Sequence, residues 1–295
     1  MPKGIRTAIV GLGQMGRGIA RKLDGDKILA AASDLNAEAF AAADLSDRVK
    51  NINIGEMLAD VDIILFAVPS TEQIATLLNS QSSSSGLVVV DLTTSHPGQS
   101  RALEEDLQSR GIAYIDAAMT GGAAGADAGT LTLMVGGSDQ AVTRCQPVLE
   151  CISSKTFHLG PAGAGHAMKL VHNLILHSSF MATCEGLRMA DRAGIDINRA
   201  VDVLNAGNAR SFVTETRFPR DILSGTMDAR SQISNLEKDL GLAQQFAGQL
   251  DAMSPYTSLT RRLLSKALEA GHAEVDFAHL FPLYEELVAK LEEDK

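Results

Sequence analysis

The stretch Ile5-Arg-Thr-Ala-Ile-Val10, followed at once by Gly11-Leu12-Gly13-Gln14-Met15-Gly16 and then by a helical run, decides the fold. A β-branched run, a G-x-G-x-x-G turn and an amphipathic segment are typical of the first βα unit of a dinucleotide-binding sheet. The first glycine allows a tight turn, the second lets the backbone approach a pyrophosphate, and the third permits close packing of helix on strand. A plain tight βα turn is the alternative interpretation, and the strand before and helix after the motif disfavour it.

Short β-branched runs alternate with helical patterns through the rest of the first half, which indicates βαβ units around a parallel sheet. The predicted strands cover residues 5–10, 28–32, 63–67, 87–91, 112–116 and 131–135. The predicted helices cover residues 15–23, 37–43, 71–78, 98–109 and 139–149, and the serine-rich segment 81–86 is predicted to be a loop. The sequence therefore predicts an α/β fold with a Rossmann-type, doubly wound sheet.

A cluster of breakers, Gly160-Pro-Ala-Gly-Ala-Gly165, marks a change of pattern, and strand signals stop after it. We therefore expect a dinucleotide-binding Rossmann domain over residues 1–162 and an all-α substrate and dimerisation domain over residues 163–295. The second domain is predicted to begin with a long interdomain helix over residues 166–193, roughly 40 Å long and followed by Gly194 as a C-cap. Further helices are predicted at residues 199–204, 218–223, 235–250, 255–270 and 276–291.

The composition excludes several classes of protein. Of the 295 residues, 45% are hydrophobic and 21% charged, as in a globular chain. A formal net charge of −10 repels nucleic acid and anionic membranes, and the longest apolar runs fall far short of the ~20 residues that a bilayer span needs. Three cysteines without C-x-x-C spacing indicate neither a disulfide framework nor a metal site. Because the start lacks an apolar targeting segment, we expect a cytoplasmic protein without nucleic-acid or membrane partners.

Asp34 stands 18 residues after Gly16, at the end of the second predicted strand. A carboxylate there can accept hydrogen bonds from an adenosine ribose and repels a 2′-phosphate, so NAD is favoured over NADP. Its alternative role is to cap the next helix. Val68 and Pro69 follow the next predicted strand, at the edge where open α/β sheets bind ligands, so they are candidate cofactor contacts. The alternative for Pro69 is that it only terminates the strand.

Several motifs in the right order make the chain resemble the β-hydroxyacid dehydrogenase family, which includes 3-hydroxyisobutyrate dehydrogenase and tartronate semialdehyde reductase. The glycine-rich turn is similar to the family's cofactor signature, and the resemblance covers essentially the whole length. The other motifs are Asp91-Leu-Thr-Thr-Ser-His-Pro97, Asp116-Ala-Ala-Met-Thr-Gly-Gly122, Gly163-Ala-Gly-His-Ala-Met-Lys-Leu-Val-His-Asn173 and Lys238-Asp-Leu240. The resemblance implies an oxidoreductase with a nicotinamide cofactor.

Lys169 and Asn173 are four residues apart and therefore project from one face of the long predicted helix. The resemblance implies that Lys169 is the general acid/base, a role that partial burial favours by lowering the pKa of a lysine, and that Asn173 holds the substrate oxygen. Without the flanking motif, Lys169 would be read as a surface lysine. The resemblance also implies that Thr94 lies near the nicotinamide or the substrate, that Lys238 contacts the cofactor, and that Asp239 beside it belongs to the substrate site.

Thr120, Gly121 and Gly122 follow a predicted strand and offer a hydroxyl and two unhindered backbone N–H groups. Such a nest suits a carboxylate, so these residues are candidate substrate contacts; a glycine-rich crossover loop is the alternative. The family usually has Ser where this chain has Thr120, and a Pro-Val pair in place of the two residues before it. The hydroxyl is kept, although the shape of the pocket differs.

Two positions depart from the family's pattern further along the chain. Ser231 and Asn235 stand where relatives commonly have Phe and Leu, which makes the predicted pocket more polar. We therefore expect a substrate richer in hydroxyl or acid groups than hydroxyisobutyrate. His172 stands where many relatives have the first of two asparagines, and it either tunes Lys169 or has a structural role; His166 and His96 are expected to be structural.

The sequence thus predicts an NAD-dependent oxidoreductase that transfers hydride between a short, polar 3-hydroxy acid, or its semialdehyde, and the nicotinamide. One alternative is an imine reductase on the same scaffold, which the presence of Lys169 disfavours. The other is a non-catalytic dinucleotide-binding module, which the pair of Lys169 and Asn173 disfavours. The resemblance also implies a homodimer or homotetramer. The apolar stripes at residues 181–189 and 259–268 are candidate interfaces, with ordinary core as the alternative.

Overall fold

A computed structural model describes residues 4–79 and 86–293 of the chain. The chain divides into two compact units, Met1–Lys169 and Leu170–Lys295. The division falls seven residues after the predicted boundary between residues 162 and 163. Most of the predicted loop over residues 81–86 lies outside the described residues, and Gly86 forms a turn.

Within the described part of the chain, eight strands of the first unit form one sheet in the order β3-β2-β1-β4-β5-β6-β7-β8. Neighbouring strands are parallel, except that β6 and β7 are antiparallel. The strands are β1 (Thr7–Val10), β2 (Leu29–Ser33), β3 (Lys50–Asn51), β4 (Ile63–Phe66), β5 (Val88–Asp91), β6 (Ala113–Thr120), β7 (Leu131–Gly137) and β8 (Ser153–Gly160). The predicted Rossmann-type sheet is confirmed.

The helices of the first unit follow the strands in alternation. They are α1 (Gln14–Gly25), α2 (Ala37–Ala42), α3 (Ile54–Asp60), α4 (Thr71–Leu78), α5 (Pro97–Ser109), α6 (Gly122–Ala128) and α7 (Asp139–Ile152). Polar side chains fix several starts: Asn53, Ser70 and Ser138 each accept a hydrogen bond from a backbone N–H of the first turn. His96 caps α5 in the same way, since its Nδ1 accepts from the N–H of Gly98, which gives it the expected structural role.

The central strands are buried on both faces, so their apolar residues serve two cores. In β4, Ile63 and Leu65 belong to one buried cluster while Ile64 and Phe66 belong to another. β5 divides in the same way, with Val88 and Val90 on one face and Val89 on the other. Strands buried on both faces read as continuous apolar runs, which is why the sequence identifies them as parallel strands.

A long helix, α8 (Ala164–Arg192), begins in the first unit and continues into the second. The second unit further contains α9 (Ile197–Ala206), a π-helix (Val213–Leu223), α10 (Ile233–Gln249), α11 (Pro255–Glu269), a 3-10 helix (Phe277–His279) and α12 (Leu280–Glu292). Gly194 has a φ of +77° just beyond α8, as expected of a glycine that ends a helix. Phe180 lies at the centre of the core, with its ring centroid 5.2 Å from that of Phe277 and 5.8 Å from that of Phe218.

Four elements were not predicted, and each has a weak sequence signal. β8 is mostly exposed and carries no apolar alternation, and β3 has only two residues. α6 is a seven-residue helix of glycine, alanine and aspartate, a composition that gives no apolar stripe. α3 is short, although Asn53 and Glu56 supply the spacing of a capped helix start. No helix in the described ranges, 4–79 and 86–293, has both the length and the apolar character that crossing a bilayer requires.

Candidate active site

The glycine-rich turn joins β1 to α1, and its three glycines have different surroundings. Gly11 has a φ of +95°, and a Cβ there would lie 2.5 Å from the carbonyl oxygen of Ala67. A Cβ on Gly16 would lie 1.9 Å from the carbonyl oxygen of Gly11, so the helix meets the turn backbone to backbone. Gly13, the N-cap of α1, has a φ of −63°, and its Cβ position has no other heavy atom within 4 Å. This cradle fits a pyrophosphate, because two glycines set the turn and the third leaves room at the helix start.

Asp34 links the turn to the end of β2. Its Oδ2 accepts a hydrogen bond from the N–H of Leu12 at 2.6 Å, and its Oδ1 accepts one from the N–H of Asn36 at 2.8 Å. The side chain of Asn36 caps α2, so the alternative role of Asp34 as the cap of that helix is wrong. Gln14 is exposed and Met15 is half-buried against the core of the sheet. The half-buried Asp34 carboxylate retains lone pairs with which it can accept hydroxyl groups.

Val68 and Pro69 follow β4 directly beside the glycine-rich turn. The Cγ1 atom of Val68 lies 3.2 Å from the Cβ position of Gly11, and Pro69 is exposed. The sheet order places β4 next to β1, on the side opposite β2. The chain therefore reverses its direction of progress across the sheet at this point, and open α/β sheets bind their ligands at such a switch.

Thr94 lies in the loop after β5, held by buried polar neighbours. Its own side chain is half-buried, whereas Thr93 and Ser95 on either side are buried. The N–H of Thr93 donates to Oδ1 of Asp91 at 2.9 Å, and the N–H of Thr71 donates to Oγ of Ser95 at 2.8 Å. These bonds fix the loop at the carboxyl end of the sheet, beside the switch point.

Thr120 ends β6 beyond the parallel part of the sheet. β6 pairs with β5 only up to Asp116. It continues for four more residues paired with β7, and Thr120 lies opposite Thr132 of that strand. Gly121 and Gly122 follow with φ values of +123° and +64°, and both are exposed. The segment leads into α6 and then into an antiparallel strand. It is a turn built on two consecutive exposed glycines with positive φ.

The carboxylate of Asp116 caps the start of α8. Its Oδ1 accepts from the N–H of Gly163 at 2.6 Å, and its Oδ2 accepts from the N–H of His166 at 2.7 Å. Burial raises the pKa of the Asp116 carboxyl, while the His166 imidazole and the two N–H groups oppose that rise. Lys169 is half-buried and stands three residues after His166, one helical turn further along α8. The polar contacts at the start of α8 therefore lie one helical turn before this lysine.

In the second unit, the side chain of Asn173 is held from two sides. Its Nδ2 donates to Oδ2 of Asp239 at 2.6 Å, and its Oδ1 lies 2.9 Å from Nδ1 of His172. Asn173 and Asp239 are both buried. Oδ1 of Asp239 lies 3.1 Å from Nζ of the partly exposed Lys238. His172 therefore has a structural contact with the amide, and the structure brings together four residues of two separate sequence motifs.

Ser231 lies two residues before α10, in a segment tied to the 3-10 helix of the same unit. Its N–H donates to Oδ2 of Asp276 at 3.1 Å, and its carbonyl oxygen accepts from the N–H of Phe277 at 2.9 Å. The Ser231 side chain is half-buried and Asn235 is exposed. The backbone at Ser231 is thus fixed.

Asp91 and Asp116 each begin a sequence motif, but the sequence predicted no role for either. Both carboxylates are fully buried, and Oδ2 of Asp91 accepts from the hydroxyls of Thr71, at 2.5 Å, and Tyr114, at 2.9 Å. The available signal was an aspartate at the end of an otherwise apolar strand, where a buried charge requires hydrogen-bond partners. Those partners come from residues far away in the sequence, so the pattern alone did not identify them.

Comparison with known proteins identifies the family of the chain. Residues 6–160 match the family described as the NAD-binding domain of 6-phosphogluconate dehydrogenase, and residues 163–284 match that described as NAD-binding of NADP-dependent 3-hydroxyisobutyrate dehydrogenase. The 2-(hydroxymethyl)glutarate dehydrogenase of Eubacterium barkeri is 28% identical over 97% of this chain and 97% of its own length.

Solved structures extend the comparison to the fold. The 3-hydroxyisobutyrate dehydrogenase of Mycobacterium tuberculosis, solved with L-serine, is 26% identical with a TM-score of 0.85, over 94% of this chain and 98% of that one. An imine reductase from Pseudomonas sp. is 17% identical with a TM-score of 0.63, over 95% of this chain and 99% of that one, and shares the fold alone. The two matched domains confirm a nicotinamide dinucleotide as the cofactor. The chain therefore belongs to the β-hydroxyacid dehydrogenase family of NAD(P)-dependent oxidoreductases, and this membership indicates hydroxyacid dehydrogenase activity.

Proposed function

We propose that the chain is an NAD-dependent dehydrogenase of a short, polar 3-hydroxy acid, or a reductase of the corresponding semialdehyde, with Lys169 as general acid/base. One observation carries the proposal. Lys169 and Asn173 lie four residues apart on α8, and the amide of Asn173 is buried and held by the Asp239 carboxylate at 2.6 Å. An acid/base group one turn from an oriented amide is the pair that oxidation of an alcohol requires.

The proposed chemistry divides between the cofactor and the chain. Bound NAD supplies the hydride acceptor for the carbinol carbon. The neutral amine of Lys169 accepts the proton of the substrate hydroxyl, and its ammonium form returns that proton to the carbonyl oxygen in the reverse direction. The second N–H of the Asn173 amide donates to the same oxygen, which orients the substrate and stabilises charge that develops on it.

We assign the cofactor to the glycine-rich turn and its neighbours. The open Cβ position of Gly13 and the bonded carboxylate of Asp34 support a pyrophosphate at the start of α1 and an unphosphorylated ribose beside β2. The assigned contacts are Gly11, Leu12, Gly13, Gln14, Met15, Gly16, Asp34, Val68, Pro69, Thr94 and Lys238. NAD is proposed over NADP because Asp34 repels a 2′-phosphate.

The substrate is proposed to carry a carboxylate and a further polar group. The two exposed glycines after Thr120, both with positive φ, suit a carboxylate. The half-buried hydroxyl of Ser231 favours a hydroxyl, amine or acid group over an aliphatic one, because an unpaired buried polar group costs about 1–3 kcal/mol, and Asp239 is assigned to the same substrate site. The L-serine in the mycobacterial structure and the name of the Eubacterium relative both fit this class of molecule.

The test is a panel of 3-hydroxy acids assayed with NAD and with NADP by the absorbance of the reduced nicotinamide. The panel contains 3-hydroxyisobutyrate, serine, glycerate, threonate, 2-(hydroxymethyl)glutarate and sulfonated analogues. We expect turnover with NAD and the highest kcat/KM for a substrate more polar than 3-hydroxyisobutyrate. Reduction of cyclic imines without oxidation of any hydroxy acid would favour an imine reductase, and NAD binding without turnover would favour a non-catalytic module.

For assembly and location, we propose a homodimer or homotetramer in the cytoplasm. Tyr256, Leu259 and Met189 are exposed apolar residues of the second unit, whereas Met181 in the first predicted stripe belongs to its core. Sedimentation over a range of concentrations tests the assembly, and a monomer at every concentration would contradict it. Cys145, Cys151 and Cys184 are all free thiols, which fits a reducing compartment.

A further inference from the structure

Asp116 supplies an unusual helix cap, because it comes from a distant strand. The first N–H groups of a helix have no partner inside the helix, and a residue next in sequence ordinarily satisfies them. At α8, one carboxylate of β6 accepts from both Gly163 and His166, which lie 47 and 50 residues further along the chain. Because Asp116 is fully buried, water does not compete for these bonds. The start of α8 is thereby fixed to the sheet.

Two glycines allow this close approach. A Cβ on Gly165 would lie 2.3 Å from the carbonyl oxygen of Met134 and 2.8 Å from Oδ2 of Asp116. A Cβ on Gly136, in β7, would lie 2.5 Å from Oδ1 of Asp116. The first turn of α8 therefore contacts the backbone of β7 directly, with the carboxylate enclosed between them.

The buried imidazole of His166 adds a second attachment in the same turn. Its Nδ1 lies 2.7 Å from Oγ of Ser100 in α5, and its Nε2 lies 3.7 Å from Oδ1 of Asp91 at the end of β5. His166 and Ser100 are fully buried. The first turn of α8 is thus tied to β6 and to α5 by hydrogen bonds without solvent.

We propose that Asp116 is a positioning residue for Lys169, which it holds in place through the first turn of α8; this inference rests on the proposed role of Lys169. Lys169 follows His166 by three residues, so a shift of the capped turn moves the lysine with it. A displacement of about 1 Å at a reacting group can cost 10²-fold in rate. Asp116 itself takes no part in proton transfer.

The test replaces Asp116 by Asn, which keeps the size of the side chain but offers only one acceptor to two N–H donors. In the Asp116→Asn variant we expect kcat to fall about 10- to 100-fold, with the dissociation constant of NAD unchanged. The matched control is Ser138→Ala, which removes the cap of α7 in the same unit. It should lower the melting temperature without changing kcat. Equal kcat in the wild type and in Asp116→Asn would overturn the proposal.

Amide hydrogen exchange provides a second readout that needs no activity. In Asp116→Asn, residues 164–170 should exchange faster than in the wild type, while α7 should be unchanged. Unchanged exchange at residues 164–170 would overturn the proposal even if the hydroxy acid panel shows no turnover. If Asp116→Asn does not fold, Ser100→Ala provides a second variant, because it loosens the same turn through His166. It should likewise lower kcat and leave the dissociation constant of NAD unchanged. An active wild type with normal exchange in both variants would refute the positioning role and leave the proposed function standing.

Discussion

The side-chain amide of Asn173 donates a hydrogen bond to the carboxylate of Asp239 across 2.6 Å, and both side chains are buried. The other end of the amide lies 2.9 Å from the His172 ring. The two contacts leave one orientation of the amide, with its nitrogen towards Asp239. The carboxylate therefore determines which atom of Asn173 is offered to a ligand.

Removal of that carboxylate by Asp239→Ala should impair catalysis through Asn173. The freed amide no longer has one fixed orientation, so we expect a loss of ~1–3 kcal/mol of transition-state stabilisation, a fall of about 5- to 150-fold in kcat/KM for the hydroxy acid. Steady-state kinetics and NAD titration measure the effect, and NAD affinity should be less affected than kcat/KM. The control is Glu237→Ala on the same helix, which removes an ion pair with Arg261. A similar loss in both variants would attribute the effect to α10 as a whole.

Lys169→Ala should lower kcat by ~10²–10⁴-fold, because no positioned group then exchanges the hydroxyl proton. The dissociation constant of NAD, measured by fluorescence titration, should change little. Lys155→Ala, at an exposed position of β8, removes the same charge elsewhere and should leave kcat unchanged. Retained turnover in Lys169→Ala would refute the assignment of the general acid/base.

The glycine-rich turn offers a pair of variants that separate binding from folding. Gly13→Ala adds a methyl group to open space, so the melting temperature should stay constant while the dissociation constant of NAD rises roughly 10-fold, about 1.4 kcal/mol. Gly16→Ala adds the same methyl group 1.9 Å from the carbonyl oxygen of Gly11, so it should destabilise the fold by about 1–3 kcal/mol or more. Thermal unfolding and NAD titration of both variants provide the check, and the reverse pattern would contradict the cradle described above.

Cofactor preference should follow Asp34 and the residue after it. Leu35 is 98% exposed, so an arginine there meets no steric obstacle and can reach a 2′-phosphate. The double variant Asp34→Asn with Leu35→Arg should shift the ratio of KM values towards NADP. The Asn still accepts one backbone N–H, so the turn should persist and kcat with NAD should fall less than affinity. An unchanged ratio would remove Asp34 from the cofactor site.

The thiols should react slowly in the native chain. Burial raises the pKa of Cys145 to about 12, and burial together with Asp26 raises that of Cys151 to about 11. At pH 8 the thiolate fraction of Cys151 should be about two orders of magnitude below that of an ordinary thiol with a pKa near 8.5. Alkylation by iodoacetamide, followed by mass spectrometry, should therefore be slow in buffer, faster as the pH rises, and fast in urea. Rapid native alkylation at pH 8 would contradict the burial described here.

The raised pKa values of the thiols also make the stability of the fold depend on pH. A thiol whose pKa is higher in the folded state holds its proton more tightly there. The contribution of such a thiol to the free energy of unfolding is fully present below its pKa in the unfolded chain, near 8.5. That contribution is lost as the pH rises towards the pKa in the folded state. The free energy of unfolding in urea should accordingly fall between pH 8 and pH 10.

The sequence predicted the elements that depend mainly on residues close together in the chain. The turn from Gly11 to Gly16 needs only its own glycines and the strand before it, and the central strands are long apolar runs because both faces are covered. β8 was missed because its exposed side chains give no pattern. β6 extends beyond its predicted end because it stays paired with β7 after its pairing with β5 ends at Asp116. Pairing of this kind depends on residues far away in the chain.

In the candidate site, too, some residues could be identified from the sequence, whereas the contacts between them could not. Asn173 was identified from the family motif that it shares with Lys169, but its bond to Asp239, 66 residues later, follows only from how the second unit folds. Asp116 was quoted as part of a motif without a role, because the N–H groups that it binds belong to a helix 47 or more residues away. Individual motifs can be found by reading along the chain, whereas their mutual contacts depend on the tertiary structure.

The contrast between Gly13 and Gly16 has a consequence for how such a protein can change over time. One methyl group at position 13 would narrow the phosphate cradle and leave the fold intact, whereas one at position 16 would break the contact between α1 and the glycine-rich turn. A lineage could thus weaken its hold on the nucleotide in a single step and retain a sound scaffold for another purpose. Inspection of position 13 in a duplicated copy would be a quick way to find one that has done so.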